Sequence, residues 1–291
     1  MKVFNGDIRI LGPRPSGKMT FLVALACFPN VSDKNNPVFS IELLNEEAQF
    51  LAEMGDNILR QGAMLSPMEW PEAPLDCPSY HLQIIVKPKF NLINAFTKQD
   101  IKLDFSCTAY AGEFFDTLFE CPEQQWRSNN YLNDLATVNQ IMLIIDATSS
   151  TRDRDYAHAI SILEKELNSC ITSRRTPAYK VNYRVAVVFS KFDQSPAYNY
   201  RHNLDEFITL KFPKIYSTLE GWRNAWNCSI SYFACSAFGV VGNLPKPNAV
   251  AGKSGSCFCL KEPDVWKPFG LVSPIYWLLT GKKDRRLSYD F

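Results

Sequence analysis

The chain carries almost no net charge. Its 31 Lys and Arg against 30 Asp and Glu leave +1. Without a global field of either sign, nothing in its composition points to nucleic acid as a partner. No apolar run reaches the roughly 20 residues that span a bilayer. The opening residues, Met1 to Asp7, lack the long apolar stretch of a secretory leader. The expected compartment is therefore the cytoplasm, and the nine cysteines read as reduced thiols. Their one close pair, Cys257 and Cys259, has the wrong spacing for zinc and no histidine nearby. Internal repeats and long low-complexity segments are also lacking. What remains is 291 residues, 46% hydrophobic, enough for one substantial core.

Strand-like apolar runs alternate with helical patterns throughout. Expected strands are Asp7 to Leu11, Val38 to Leu44, Tyr80 to Val86, Ile101 to Thr108, Gln140 to Asp146, Tyr183 to Phe189 and Ser229 to Cys235. Asn45 is the expected cap of a helix over 46–65, where Phe50, Leu51, Met54, Ile58 and Leu59 recur at helical spacing. Further helices are expected over 152–171, 204–222 and, as a closing element, 264–280. Residues 239–263, rich in Gly, Pro, Asn and Ser in their first part, are expected to form a mobile loop. Strands separated by helices imply parallel βαβ units with right-handed crossovers. The expectation is one α/β domain over 1–291, a three-layer α/β/α sandwich. Its mostly parallel sheet has six or seven strands, with an insertion over about 45–79 after the second. Ligands bind such sheets beyond the carboxyl ends of the strands.

Gly12-Pro13-Arg14-Pro15-Ser16-Gly17-Lys18-Met19-Thr20 lies between the first strand and the apolar run Phe21 to Ala26. Gly, four residues, then Gly-Lys is the skeleton of a phosphate-binding loop. Glycines at positions 12 and 17 permit backbone angles other residues resist. Successive N–H groups then point at an anion, and the helix N-terminus adds its partial positive charge. Lys18 would reach the terminal phosphates. Where such a loop supplies a Ser or Thr hydroxyl to Mg²⁺, this chain has Met19.

Three more signals follow at strand carboxyl ends. Ala109-Tyr110-Ala111-Gly112-Glu113 resembles the Asp-x-x-Gly switch of GTPases, with Gly112 at the γ-phosphate contact and Glu113 at the water-positioning place. The Asp of that motif is here Ala109. Ser190-Lys191-Phe192-Asp193 resembles the guanine-reading motif, Asn or Thr-Lys-x-Asp. The Asp193 carboxylate would accept N1–H and N2–H₂ of guanine, a donor pair adenine lacks. Ser236-Ala237 resembles the element that contacts the guanine oxygen. Taken in chain order, these resemble a P-loop GTPase domain of the translation-factor-related class. Within it the chain is similar to the bacterial double-GTPase group, through Ile10-Leu11-Gly12 running into Ser16-Gly17-Lys18, through Ala111-Gly112-Glu113, and through the terminal Ser273-Pro274-Ile275-Tyr276-Trp277-Leu278-Leu279.

That resemblance implies GTP or GDP as ligand, with Lys18 and Glu113 as catalytic groups. Gly12, Arg14, Ser16, Gly17, Met19, Thr20, Gly112, Ser190, Lys191, Asp193, Ser236 and Ala237 then bind the nucleotide. It also implies protein partners, which no residue identifies. Met19 and Ala109 together remove both ordinary metal ligands, so Mg²⁺ is doubtful. Asp146 is the carboxylate left to serve, though it reads more readily as a turn or cap aspartate. Thr97, the one threonine within 28–100, lies too near the following strand to mark switch one. The functions left open are a regulatory nucleotide-binding module, a slow GTPase with an unusual metal shell, and a nucleotide-free scaffold. A small-molecule kinase would need an arginine-rich lid, and Arg152-Asp153-Arg154 offers little of one. The tail Lys282-Lys283-Asp284-Arg285-Arg286 reads as a solvated helix end.

Overall fold

The structure is a computed structural model that describes residues 1–28, 36–61, 70–88, 99–120, 125–173, 183–194, 196–226, 228–242, 246–251 and 258–288. Its frame is a seven-stranded sheet in the order β2-β3-β4-β1-β5-β6-β7. The strands are β1 (Lys2–Leu11), β2 (Val38–Leu43), β3 (Ser79–Val86), β4 (Ile101–Ala109), β5 (Gln140–Asp146), β6 (Arg184–Ser190) and β7 (Ser229–Ala234). From β4 across to β7 every pairing is parallel. The β2 and β3 pairings are antiparallel.

The central strands are buried on both faces, as their continuous apolar runs require. Alternate residues of β5 feed separate cores. Ile141, Leu143 and Ile145 pack with α3 (Gly112–Glu120), α4 (Gln125–Leu135), α5 (Asp153–Ser173), α6 (Leu204–Lys211) and α7 (Pro213–Trp226). Met142 and Ile144 pack with α1 (Lys18–Ala26), α2 (Glu46–Gly55) and α8 (Val272–Thr280). The result is the expected three-layer α/β/α sandwich. Among the described residues no helix is long and apolar enough to cross a membrane.

Several expected boundaries move. Asn45 does cap α2, its Oδ1 accepting from Ala48 N at 3.2 Å. The helix gives way at Gly55 to a π-helical turn, Asp56–Arg60. Phe50, placed on the apolar stripe by its spacing, is exposed. The helix expected over 204–222 is two helices, parted at Phe212 and Pro213. Proline lacks the N–H that would continue the first. The second is anchored from outside: buried Asp153, at the start of α5, accepts from Lys214 N and Ile215 N, each at 3.0 Å. Those are N–H groups with no intrahelical partner, so the carboxylate caps the helix.

The closing helix begins at Val272 rather than 264. Pro268 disfavours helical geometry at the residue before it, and Gly270 sits at φ +70°. Residues 266–270 instead run beside the end of β7. Ser236 and Phe269 exchange both backbone hydrogen bonds, at 3.0 and 3.1 Å. The segment expected as a mobile loop also carries two short antiparallel ribbons, β8 (Val240–Val241) with β9 (Lys246–Pro247) and β10 (Ala249–Ala251) with β11 (Phe258–Leu260). Fully buried Asn248 pins them, its side chain bonded to both the N–H and the carbonyl of Glu262 at 2.8 and 3.0 Å.

Gly270 makes this arrangement testable. A Cβ there would lie 2.0 Å from Ala234 O, at a φ that L side chains resist. Gly270→Ala is expected to cost roughly 1–3 kcal/mol, read as a lower urea midpoint at unchanged slope.

Candidate functional site

The phosphate loop leaves β1 at Leu11 and enters α1 at Lys18, as its spacing demands. Gly12 passes β5 so closely that a Cβ would lie 2.1 Å from Ile144 O. Only glycine fits there, at φ +149°. Gly17 precedes α1 in the left-handed region, at φ +84°. Ser16 N closes a turn on Pro13 O at 3.0 Å. The Ser16 side chain is buried, and its Oγ has no hydrogen-bond partner among the described residues.

Lys18 is folded into the loop. Its Nζ donates to Gly12 O at 2.5 Å and to Pro13 O at 3.3 Å, and the residue is only 7% exposed. Burial pulls its pKa down to about 8, against the pull of Asp116 and Glu113, while Arg14 acts in the same direction as burial. The ammonium is thus held on two loop carbonyls and is largely desolvated by its burial.

The switch segment closes on this loop. A Cβ on Gly112 would lie 2.3 Å from Arg14 Cγ and 2.8 Å from Arg14 N. Arg14 then forks across α3, Nη1 to Glu113 Oε1 at 3.1 Å and Nε to Asp116 Oδ2 at 3.2 Å. Glu113, the expected water-positioning residue, is thus tied to the loop arginine. Asp116 was not among the expected site residues. Its i,i+3 spacing from Glu113 puts the two on one face of α3, which is the signal that could have found it. Its other oxygen, Oδ1, is buried without a hydrogen-bond partner among the described residues.

The end of β6 reaches the same loop from the opposite side. Ser190 Oγ donates to Ser16 O at 2.7 Å. Lys191 Nζ donates to Pro15 O at 3.1 Å and pairs with Asp146 Oδ2 at 2.5 Å. Lys191 holds a left-handed backbone, φ 53°, uncommon for a side chain of its kind. Two residues on, Asp193 is 4% exposed. Its Oδ1 accepts from Ser236 Oγ at 2.6 Å, while Oδ2 is buried with no partner among the described residues. Burial raises its pKa, against the Ser236 hydrogen bond and Lys191. Ser236 also accepts from Gly239 N at 2.8 Å. The sequence assigns this serine a backbone role, whereas its hydroxyl is what holds Asp193. Ala237 O takes the indole N–H of Trp266 at 2.8 Å.

The donors for Mg²⁺ do not assemble. Met19 packs against the α1 core, and Ala109 is buried and apolar. Thr20 is half-buried in the first turn of α1. Both oxygens of Asp146 are engaged: Oδ1 accepts from Thr148 N and Oγ1 at 2.8 and 2.7 Å, and Oδ2 takes Lys191. Among the described residues no three His, Cys, Asp or Glu side chains could hold a metal ion. The residues present do not fit an ordinary Mg²⁺ shell, which needs oxygen ligands in near-octahedral array. Thr97 and Cys257 lie outside the described residues.

No family model matches the chain, and no curated protein matches it. Among solved structures it is similar to the signal recognition particle receptor SRb, GTP-bound and complexed with SRX, from Chaetomium thermophilum. That likeness has 15% identity over 83% of this chain and 93% of the other, with a TM-score of 0.38. It is similar to a GTP-binding protein of Sulfolobus solfataricus in complex with GDP, at 12% identity over 80% and 47%, TM-score 0.34. It is also similar to the Ski7 GTPase-like domain of S. cerevisiae, bound to GDP and inorganic phosphate, at 14% identity over 98% and 52%, TM-score 0.40. The chain spans about half the length of the last two. At this identity the likeness carries no residue-level inference.

Two outcomes test this geometry. Ser190→Ala removes a buried tie to the loop and is expected to cost about 1 kcal/mol in chemical denaturation. Anion binding should follow Lys18. With a free-state pKa near 8 and a higher one when an anion pairs with it, affinity is complete below pH 8 and lost as pH rises through it. Pyrophosphate affinity at the loop, measured as the part abolished by Lys18→Ala, should fall about tenfold from pH 7 to pH 9.

Proposed function

We propose that the protein binds guanine nucleotides and acts as a regulatory module through partner contact, with weak or absent Mg²⁺-dependent hydrolysis. The observation that carries this reading is Asp193. A buried carboxylate with one oxygen fixed by Ser236 and the other without a partner among the described residues is costly unless something supplies donors. Guanine offers two adjacent N–H donors to one carboxylate. Adenine presents a ring acceptor where guanine has N1–H, and it would set that nitrogen against the charge.

The phosphate end fits the same ligand. Loop N–H groups, Lys18 and Arg14 supply positive charge, and the unpartnered Ser16 hydroxyl supplies a further donor. Gly12, Gly17 and Gly112 let the backbone approach. Lys191 carries its stem beside the base position while its ammonium steadies the loop. Thr20, Met19 and Ala237 contribute position within the loop, α1 and the base-side turn. Glu113 is held by Arg14, which argues against its orienting a water in this state. Phosphoryl transfer in this class rests on positioning and on cations around the phosphates, metal ions above all. A site lacking the metal donors binds better than it turns over. The terminal helix and the switch segment Ala111-Gly112-Glu113 support placing the chain nearest the bacterial double-GTPase group.

Specificity tests the reading at one atom. Wild-type protein should bind a fluorescent GDP analogue in preference to the ADP analogue by tenfold or more. Asp193→Asn should lose GDP at least tenfold and gain xanthosine diphosphate, whose second ring carbonyl the new amide N–H₂ can meet. Equal affinity for GDP and ADP, or an unchanged preference in Asp193→Asn, would rule it out.

A further inference from the structure

The nucleotide motifs leave one concentration of charge unexplained. A surface pocket of about 470 Å³ opens beside β7, the last strand of the sheet. Arg201, His202, Lys283 and Arg285 line it, and among the described residues no Asp or Glu does. These cations come from two distant stretches, the turn before α6 and the tail after α8. A chain of net charge +1 has no general excess to explain the gathering. The tail read from sequence as a solvated helix end is folded back. Buried Asp284 accepts from Arg286 N at 3.1 Å and pairs with its guanidinium at 2.7 Å. Arg286 also donates to Lys87 O and Pro88 O at 2.9 and 3.2 Å. That clamp brings the two neighbours of Asp284, Lys283 and Arg285, to the pocket.

The cations are held in place by aromatic faces. Lys283 Nζ lies 5.5 Å from the Phe233 ring centre, and the Arg201 guanidinium lies 4.4 Å from that of Tyr198. Burial, with Arg223, lowers the Lys283 pKa, and Asp205 acts against them. The pocket also receives Ser273, the second residue of α8, and Ser288, their hydroxyls 3.3 Å apart. The first turn of α8 holds no acidic residue, and Leu271 before it provides no side-chain cap. Its third residue, Pro274, brings no N–H, so the helix adds its partial positive charge to the side of the cations.

We propose that this pocket binds a phosphorylated small molecule, its phosphoryl groups held by Arg201, Lys283 and Arg285 with the two serine hydroxyls and the N-terminus of α8. The volume lies within the range of small-ligand sites. Guanidinium groups and hydroxyls that converge with no carboxylate among the described lining residues match phosphoryl oxygens. None of the phosphate-loop or base-motif residues lines this pocket, so it is separate from the nucleotide site and does not depend on it.

Inorganic pyrophosphate titrated calorimetrically into the Lys18→Ala variant tests the proposal, because that background removes the loop cation. One site is expected, with a Kd below about 1 mM, the weak limit of ordinary ligand affinity. Arg201→Ala with Lys283→Ala should weaken it by about tenfold or more, as should the loss of any strong paired contact. Arg285→Ala, at an exposed side chain, is the variant that keeps the test open if the double change does not fold. It should weaken binding about threefold, and Lys165→Ala on α5 should leave it unchanged. No binding in the Lys18→Ala background would overturn the proposal. So would binding unaffected by the pocket changes, or weakened as much by Lys165→Ala.

Discussion

The short pair Ser190-Lys191 governs this molecule. It holds the phosphate loop by two carbonyls, Ser16 O and Pro15 O, from a strand two positions away in the sheet. From within, the loop is held by Ser16 N on Pro13 O and by Lys18 Nζ on Gly12 O and Pro13 O. From outside it is held through two further carbonyls. Gly12, pressed on the β5 backbone, fixes one end, and Ser190 and Lys191 fix the middle. The same two residues begin the turn that carries Asp193. One strand end therefore ties the loop and begins the turn that carries the buried carboxylate.

The second organising fact is how charge is balanced around the loop. An ordinary site of this type leaves carboxylates for a metal. Here each is spent on a cation of the protein: Asp146 on Lys191, and Glu113 and Asp116 on Arg14. Met19 and Ala109 add no oxygen. Met19 lies in the first turn of α1 and Ala109 ends β4, and both side chains pack with the same apolar core. The loop thus keeps Gly12, Gly17 and Lys18, while among the described residues the oxygens that an ordinary Mg²⁺ shell would use are absent or paired with cations. Only one carboxylate oxygen near the phosphate end, Asp116 Oδ1, stays buried without a hydrogen-bond partner among the described residues.

Much of this was legible in the sequence, for reasons that differ by residue. Gly12, Gly17 and Lys18 declare themselves because a tight turn between strand and helix needs those residue types and few others. The seven strands are legible because central parallel strands are apolar on both faces. Asp193 is legible through its spacing from Lys191, but its isolation is not. That depends on Ser236, forty-three residues later. Elements controlled by distant contacts were misread. Residues 264–271 carry an apolar pattern, yet backbone pairing between Ser236 and Phe269 outweighs it. Asp153 reads as part of a charged helix start, while its task is to cap α7. The tail looks like solvated charge because nothing local shows that buried Asp284 folds it back.

The account's central claim is that nucleotide binding here rests on the protein's own cations and N–H groups rather than on Mg²⁺. Equilibrium binding of GDP and GTP with excess EDTA, and again across a magnesium titration to 10 mM, measures this most directly. The account predicts affinities within about threefold of each other across the series, well below the tenfold step that 1.4 kcal/mol would produce. An affinity for GTP that rises tenfold or more with Mg²⁺, accompanied by phosphate release, would contradict it.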